Sequence, residues 1–187
     1  MPKQKQYPFD VDQSVRIEEL NRDTTIGIGN KSCQYSFRVS RKTKRFFNEY
    51  FRKHGQPRYC APIVFSAVVI VALRKTKENI TSIVIDTEYT GYEKLIHVAV
   101  SNAFPEAVID IRRIGKLSPA HQAAYGAHLG KKKNVSVLHR NEIEKVVLMI
   151  RKQKDGWRTA SPGMNQDSQA QNQPVKKKYT KKRRKSK

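Results

Sequence analysis

The pattern of hydrophobic and polar residues divides the chain into a polar start, a long patterned middle and a polar end. Residues 1–22 are polar, mixed in charge and weakly patterned, which predicts a flexible N-terminal arm. In the segment 24–40, a turn composition around Gly29 separates two extended runs. In the second run apolar side chains fall at every other position: Cys33, Tyr35, Phe37 and Val39. Such alternation is typical of a half-buried strand, so this segment predicts a β-hairpin.

Helical and strand patterns alternate after the hairpin. Ser40 is a good helix N-cap, and the aromatic residues that follow it recur at helical spacing. The apolar run 62–75 predicts a buried helix, with a strand as the alternative, because Ala and Leu favour a helix whereas Val and Ile favour a strand. Further strands are predicted at 80–85, 107–114 and 135–138, and further helices at 92–104, 118–129 and 141–154.

This order of elements predicts the fold class. Strands that alternate with helices imply a mostly parallel sheet covered by helices, and the early hairpin adds antiparallel strands. We therefore expect an α/β domain at residues 23–155, with a mixed sheet, an N-terminal β-hairpin and helices on both faces. After it, residues 159–174 are Ser, Gln, Asn, Gly and Pro with almost no apolar side chain. We expect 156–187 to be a disordered linker and a Lys/Arg-rich tail.

The net charge of the chain indicates which class of partner it binds. The chain has 38 Lys plus Arg against 16 Asp plus Glu, a formal charge of +22. The last twelve residues hold nine of these cations and no acid, so residues 1–175 carry +13. Such a protein associates with phosphate polyanions, and four basic clusters predict contacts with DNA or RNA. The clusters are Arg41, Lys42, Lys44 and Arg45; Arg112, Arg113 and Lys116; Lys131, Lys132 and Lys133; and Lys181, Lys182, Arg183 and Arg184.

Candidate chemistry lies at the end of the strand predicted at 80–85. Asp86 and Glu88 follow this strand directly, and sites in open α/β sheets form at the carboxyl ends of strands. Carboxylates two residues apart on an extended chain point to the same side, where they could ligate Mg²⁺ or Mn²⁺. The alternative is that they cap or begin the helix that follows.

A second candidate lies at the predicted helix start Ser118-Pro119. His121 would sit near the N-terminus of this helix, where a phosphate is favoured, or it would be an ordinary surface or core histidine. His128 is seven residues further on, so it lies on about the same helix face, with Tyr125 between the two histidines.

Other functional classes lack their sequence signals. The chain has no GxxxxGK[ST] phosphate loop, no GxSxG elbow and no complete dinucleotide fingerprint. Its two cysteines, Cys33 and Cys60, favour a reducing compartment and do not have zinc-ligand spacing. Residues 1–7 lack the apolar stretch of a secretory signal, and the run 62–73 is shorter than the ~20 residues of a membrane span. We expect a cytoplasmic, nucleic-acid-associated protein without a membrane partner.

The order of the elements also resembles a known superfamily. The opening hairpin, the strand ending in Ile85-Asp86-Thr87-Glu88-Tyr89 and the stretch from Arg113 to Gln122 resemble the ribonuclease H-like superfamily, specifically its small prokaryotic members, over about residues 24–150. In that superfamily, carboxylates on the first and central strands and a late acid or histidine hold two divalent metals for phosphodiester cleavage. The resemblance implies Asp86 as the central-strand acid, Glu88 as its neighbour, and His121 as the late ligand or proton shuttle.

The first strand departs from that pattern. In this comparison it would be the segment 25–30, which has no carboxylate, and the nearest acid is Asp23. Two-metal catalysis needs several carboxylates to offset the metal charges. Two functions therefore stay open: a metal-dependent nuclease with an RNase H-like fold, or a non-catalytic protein that binds nucleic acid or accompanies a ribosome or other RNP.

Overall fold

The computed structural model describes residues 7–159, the last six of them as helix backbone only. The strands are β1 (Phe9–Ser14), β2 (Thr24–Gly29), β3 (Gln34–Val39), β4 (Ser82–Ile85), β5 (Val108–Ile111) and β6 (Ser136–Val137). The helices are α1 (Arg41–Lys53), α2 (Cys60–Thr76), α3 (Glu93–Ala103), α4 (Pro119–His128) and α5 (Arg140–Thr159). A short 3₁₀ turn, Pro57–Tyr59, leads into α2.

The six strands form one mixed sheet in the order β5-β4-β1-β2-β3-β6. Strands β1, β2 and β3 are antiparallel neighbours, while β4 is parallel to β1, β5 to β4 and β6 to β3. The predicted α/β class and mixed sheet are confirmed. Because β1 and β4 are adjacent and parallel, their carboxyl ends lie at the same edge of the sheet.

The first strand corrects the prediction from sequence. Residues 1–22 were expected to be a flexible arm, but Phe9–Ser14 forms β1 between β4 and β2, well before the predicted domain start at residue 23. Phe9 and Val11 belong to the apolar core, while Asp10 and Asp12 alternate with them. Acidic residues are depleted in strands, so the pattern was too short and too acidic to indicate one. Backbone pairing with a neighbour on each side stabilises it here.

One face of the sheet is covered by α2, which packs in turn against α1, α3 and α5. Residues 62–73 of this helix are all buried, which confirms the helix predicted at 62–75. By length and composition Pro57–Thr76 is also apolar enough to cross a membrane, but most of it is buried inside the domain. The strand residues of this apolar face include Val11, Ile26, Ile28, Phe37 and Ile85.

The opposite face of the sheet is covered by α4, which packs on β1, β2 and β3. Its contact side consists of four buried alanines: Ala120, Ala123, Ala124 and Ala127. A Cβ placed on Gly27 would be 1.9 Å from the backbone oxygen of Ala120, so only glycine allows the helix to come this close. Helices therefore lie on both faces, as predicted.

The remaining boundaries agree with the sequence patterns to within a few residues. Ser40 caps α1 by accepting from Thr43 N, and Ser118 caps α4 by accepting from Ala120 N. The last helix, α5, continues to Thr159, past the end predicted near residue 154. The rest of the predicted linker and tail, including Lys181, Lys182, Arg183 and Arg184, lies outside the described residues.

Candidate functional site

Three carboxylates meet where β1 and β4 end. Asp12 lies in β1 and Asp86 directly follows β4, whose end is held to β1 by a hydrogen bond from Asp86 N to Val11 O at 2.9 Å. Glu88 follows two residues later. One oxygen from each of the three carboxylates lies within 4.8 Å of the others, and we call this group the acid cluster. Oxygen ligands in such a group suit a hard divalent cation.

Asp12 is the buried member of the acid cluster. Its Oδ1 accepts from Gln13 N at 2.7 Å, and its Oδ2 lies 2.7 Å from His121 Nδ1. Burial raises the pKa of Asp12 and the charge of Asp86 raises it further, although the hydrogen bond with His121 opposes this shift. Burial also raises the pKa of Glu88, with a hydrogen bond from Gln13 opposing and the charges of Asp12 and Asp86 adding to it. A bound cation would relieve this repulsion.

Asp86 connects the acid cluster to the segment that precedes α4. Its Oδ1 accepts from Thr87 N and from Ile114 N, both at 3.0 Å. The next helix, α3, begins only at Glu93 with Tyr92 as its N-cap. The alternative interpretation of Asp86 and Glu88 as helix-capping residues is therefore wrong.

His121 lies on the first turn of α4, as its spacing from Pro119 predicted. Through its contact with Asp12, the structure brings together all three residues that the sequence singled out, Asp86, Glu88 and His121. A fourth acidic residue, Asp12, is not among the sequence candidates, because the resemblance places the first strand at 25–30, whereas this segment corresponds to the second strand, β2. The period-two alternation Phe9-Asp10-Val11-Asp12 is the signal that could have found it.

The other nearby acids have separate partners. Asp10, on the same sheet face as Asp12, accepts from Ser118 Oγ at 2.8 Å and so holds the start of α4. Asp23, the acid nearest to the expected first strand, accepts from Arg41 N at 2.8 Å. Asp110 in β5 is exposed and pairs with Arg112 at 3.3 Å.

A cation approaches the acid cluster from the loop after β1. Arg16 Nε lies 3.5 Å from Glu88 Oε2, and Arg16 Nη2 donates to the backbone oxygen of Glu88. Val15, the residue before it, has a φ of 69°, which is rare for a β-branched side chain. Such strain often lies near functional sites, and here it follows β1 directly.

The structure corrects one of the predicted nucleic-acid contacts, Lys44. It is fully buried, and its Nζ donates to Arg16 O at 3.0 Å, Glu19 O at 2.7 Å and Thr24 Oγ1 at 2.8 Å. Burial lowers the pKa of Lys44 to about 8. Lys44 therefore holds the β1–β2 loop, including Arg16, against α1 and is not available to a phosphate.

An open cavity of about 450 Å³ lies beside the end of α4, and we call it the basic pocket. Its charged side chains are Arg22, Asp23, Arg38 and Arg41, and His128 also lines it. Thr25, which also lines it, pairs with Ser14 at the end of β1 and with Arg38 in β3. The basic pocket therefore lies at the same edge of the sheet as the acid cluster, beside the neighbouring strands β2 and β3.

The other predicted cations lie at the surface. Arg41, Lys42 and Arg45 are exposed on α1, and Arg45 Nε donates to Leu20 O at 3.0 Å. The two remaining clusters flank α4: Arg112, Arg113 and Lys116 are exposed before it, and Lys131, Lys132 and Lys133 are exposed after it.

Comparison with protein-family models, with curated proteins and with solved structures finds no match to this chain.

Proposed function

We propose that this protein is a divalent-metal-dependent nuclease that cleaves phosphodiester bonds of nucleic acid on an RNase H-like domain. The acid cluster carries the proposal. It joins carboxylates from two adjacent parallel strands at one edge of the sheet, with His121 in contact with its buried member. In the superfamily that the sequence resembles, metals are held by carboxylates of the first and central strands and by a late acid or histidine.

The donor set fits Mg²⁺ or Mn²⁺. Asp12, Asp86 and Glu88 would hold the ion through oxygen atoms only, which is the ligand type that both ions prefer. The raised pKa values of Asp12 and Glu88 reflect burial and mutual repulsion, which a cation would offset. When bound, a divalent ion supplies a Lewis acid for the phosphoryl group.

His121 supplies a group for proton transfer. Its Nδ1 is engaged by Asp12 Oδ2, which fixes the orientation of the imidazole ring. Nε2, the other ring nitrogen, is then the atom that can exchange a proton with water or with a leaving oxygen. The side chain is about one-third exposed, so solvent and substrate reach it.

Charge around the site supports nucleic acid as the substrate. Residues 111–141, which contain α4, carry seven Lys or Arg and no Asp or Glu. The basic pocket adds cations at the edge that also holds the acid cluster. Both DNA and RNA stay open as substrates, and a cytoplasmic location goes with the proposal.

The second candidate function is a non-catalytic nucleic-acid-binding or RNP-associated protein. Its main support was the missing carboxylate on the first strand, and Asp12 in β1 now supplies that group. The basic clusters support binding under either candidate, so only a reaction can separate the two.

The test is a cleavage assay with Mn²⁺ on labelled RNA–DNA hybrid, duplex DNA and single strands. We expect metal-dependent cleavage of at least one substrate by the wild type. Asp86→Asn should reduce it to background, because the amide keeps the hydrogen bonds to Thr87 N and Ile114 N but loses the charge. Asp110→Asn, which changes an exposed acid outside the acid cluster, is the matched control. The absence of cleavage by the wild type, or full activity of Asp86→Asn, would remove the nuclease proposal.

A further inference from the structure

One side of α4 extends from the acid cluster to the basic pocket. His121 contacts Asp12 in the acid cluster, and His128 lines the basic pocket. At 3.6 residues per turn, His121, Tyr125 and His128 lie on one side of the helix. A nucleic-acid strand that followed this side of α4 from the basic pocket to the acid cluster would pass over Tyr125.

Tyr125 presents an aromatic ring at this point. Its side chain is 51% exposed, and among the tyrosines of residues 7–153 it is the most open to solvent. Its ring lies nearly parallel to that of His121, with 12° between the planes and 6.0 Å between the centroids. Asp12 holds the His121 ring in place beside the ring of Tyr125. The core does not use Tyr125, since the buried side of α4 consists of alanines.

The surroundings of Tyr125 favour a polyanion over an apolar partner. The segment 111–141 has cations at both ends of α4 and no acidic residue. The side chain of Lys132 passes over Gly126, the residue next to Tyr125, and hydrogen-bonds to Gln34. An aromatic ring between cationic groups is the arrangement that binds single-stranded nucleic acid, in which bases stack on aromatic rings while cations contact phosphates.

We propose that Tyr125 stacks on an unpaired nucleobase of a strand that spans the basic pocket and the acid cluster. The inference rests on the proposed function, because the stacked base belongs to the nucleic acid that the protein is proposed to cleave. It makes unpaired strands the preferred substrate class. A base inside a duplex is stacked on both faces by its neighbours, so a ring on a helix edge can reach its face only when the base is unpaired.

The test measures binding in EDTA, so that cleavage plays no part. Fluorescence anisotropy would compare a short labelled oligothymidylate with a labelled duplex of equal length. Tyr125→Ala should raise the Kd for the single strand by about tenfold and change the Kd for the duplex by less than about twofold. Tyr125→Phe should bind like the wild type, because it keeps the ring. The control Leu148→Ala, at an exposed position on α5, should leave both Kd values unchanged.

Each other outcome contradicts the proposal. No binding of the single strand by the wild type, an unchanged Kd in Tyr125→Ala, or an equal loss for duplex and single strand would each overturn it. A concentration-dependent dimer that Tyr125→Ala abolishes would also overturn it, since Tyr125 would then serve a contact with a second copy. Because binding is measured in EDTA, a failed cleavage assay does not affect the interpretation of the binding result. A failed binding assay likewise leaves the cleavage result interpretable.

Discussion

The two faces of the sheet use alternate residues of the same strands and have opposite chemistry. In β2, Ile26 and Ile28 are fully buried toward α2, while Thr25 and Gly27 lie beneath α4. The α2 face is a continuous apolar core. The α4 face is polar and closely packed, since Thr25 Oγ1 donates to Ala124 O at 2.9 Å and Ser36 Oγ to Ala123 O at 3.0 Å.

This difference places the apolar core on one side of a single layer of strands and the acid cluster with His121 on the other. Apolar burial on the α2 face supplies most of the hydrophobic free energy, because it is proportional to the apolar area removed from water. The α4 face contributes less apolar area, but its small residues let α4 lie close to the sheet. That closeness brings His121 within hydrogen-bonding distance of Asp12.

The largest expected effect is the loss of a side chain from the α2 face. Ile28→Ala removes a fully buried side chain, and the cavity should lower the free energy of unfolding by about 2–5 kcal/mol. Urea unfolding followed by circular dichroism measures this. The affinity for nucleic acid of the folded protein should stay unchanged, and a loss of binding without a loss of stability would show that the two faces are not independent.

A substitution at Gly27, next to Ile28 in β2, tests the α4 face by adding a methyl group. Gly27→Ala should cost about 1–3 kcal/mol, because its Cβ meets the backbone of Ala120 and Ala124, which can yield only if α4 moves. Displacement of α4 should also reduce any metal-dependent activity through His121. Gly115→Ala, where a Cβ meets nothing within 4 Å, is the control. If Gly27→Ala were as stable as the wild type, this would contradict the close approach of α4 to Gly27.

Basic residues test whether nucleic acid binds on the α4 side. Replacing Arg112, Arg113 and Lys116 by Ala should weaken binding of all sequences alike and reduce the slope of log K against log salt by up to about 2.7 for duplex DNA. The control replaces three exposed lysines on α3 and α5, which pack with α2: Lys94, Lys145 and Lys152. An equal loss in both triple variants would indicate nonspecific charge attraction. Altered sequence preference with retained affinity would also contradict the prediction.

A smaller effect concerns the charge of Asp12 in the absence of metal. Burial raises the pKa of Asp12 above its ordinary value of 3.8, so in the pH range just above that value the folded state binds more protons than the unfolded state. The free energy of unfolding should therefore fall as the pH rises through this window. Asp12→Asn lacks this titration, so in EDTA its free energy of unfolding relative to that of the wild type should increase as the pH rises above the ordinary pKa of an Asp carboxyl, about 4. A difference that is flat with pH would contradict the shift.

The same contrast explains what the sequence could predict. The β3 alternation and the apolar run of α2 were readable because burial against a core leaves a regular hydrophobic pattern. β1 was not readable, since Asp10 and Asp12 interrupt its apolar pattern on the polar α4 face. Lys44 looked like a surface cation because its three acceptors come from a loop and a strand distant in sequence.

The basic pocket was likewise hidden in the sequence. Arg22, Arg38 and Arg41 come from a loop, a strand and a helix, and His128 comes from α4 nearly ninety residues later. Only Arg41 belonged to a predicted cluster, because local charge density does not show which distant cations converge. By contrast, Asp86 and Glu88 stand out in the sequence because they lie just after the end of a strongly apolar strand.

The central claim is that Asp12 of β1 completes a metal site with Asp86 and Glu88, and Mn²⁺ binding tests it most directly. Free Mn²⁺ would be measured by electron paramagnetic resonance during titration of the wild type, Asp12→Asn and Asp10→Asn. Asp10 is a matched control, because it lies on the same face of β1 but bonds to Ser118. We expect the wild type and Asp10→Asn to bind Mn²⁺ alike, and Asp12→Asn to bind at least about tenfold more weakly because a charged ligand is lost. Equal binding by Asp12→Asn, or no binding by the wild type, would contradict the account.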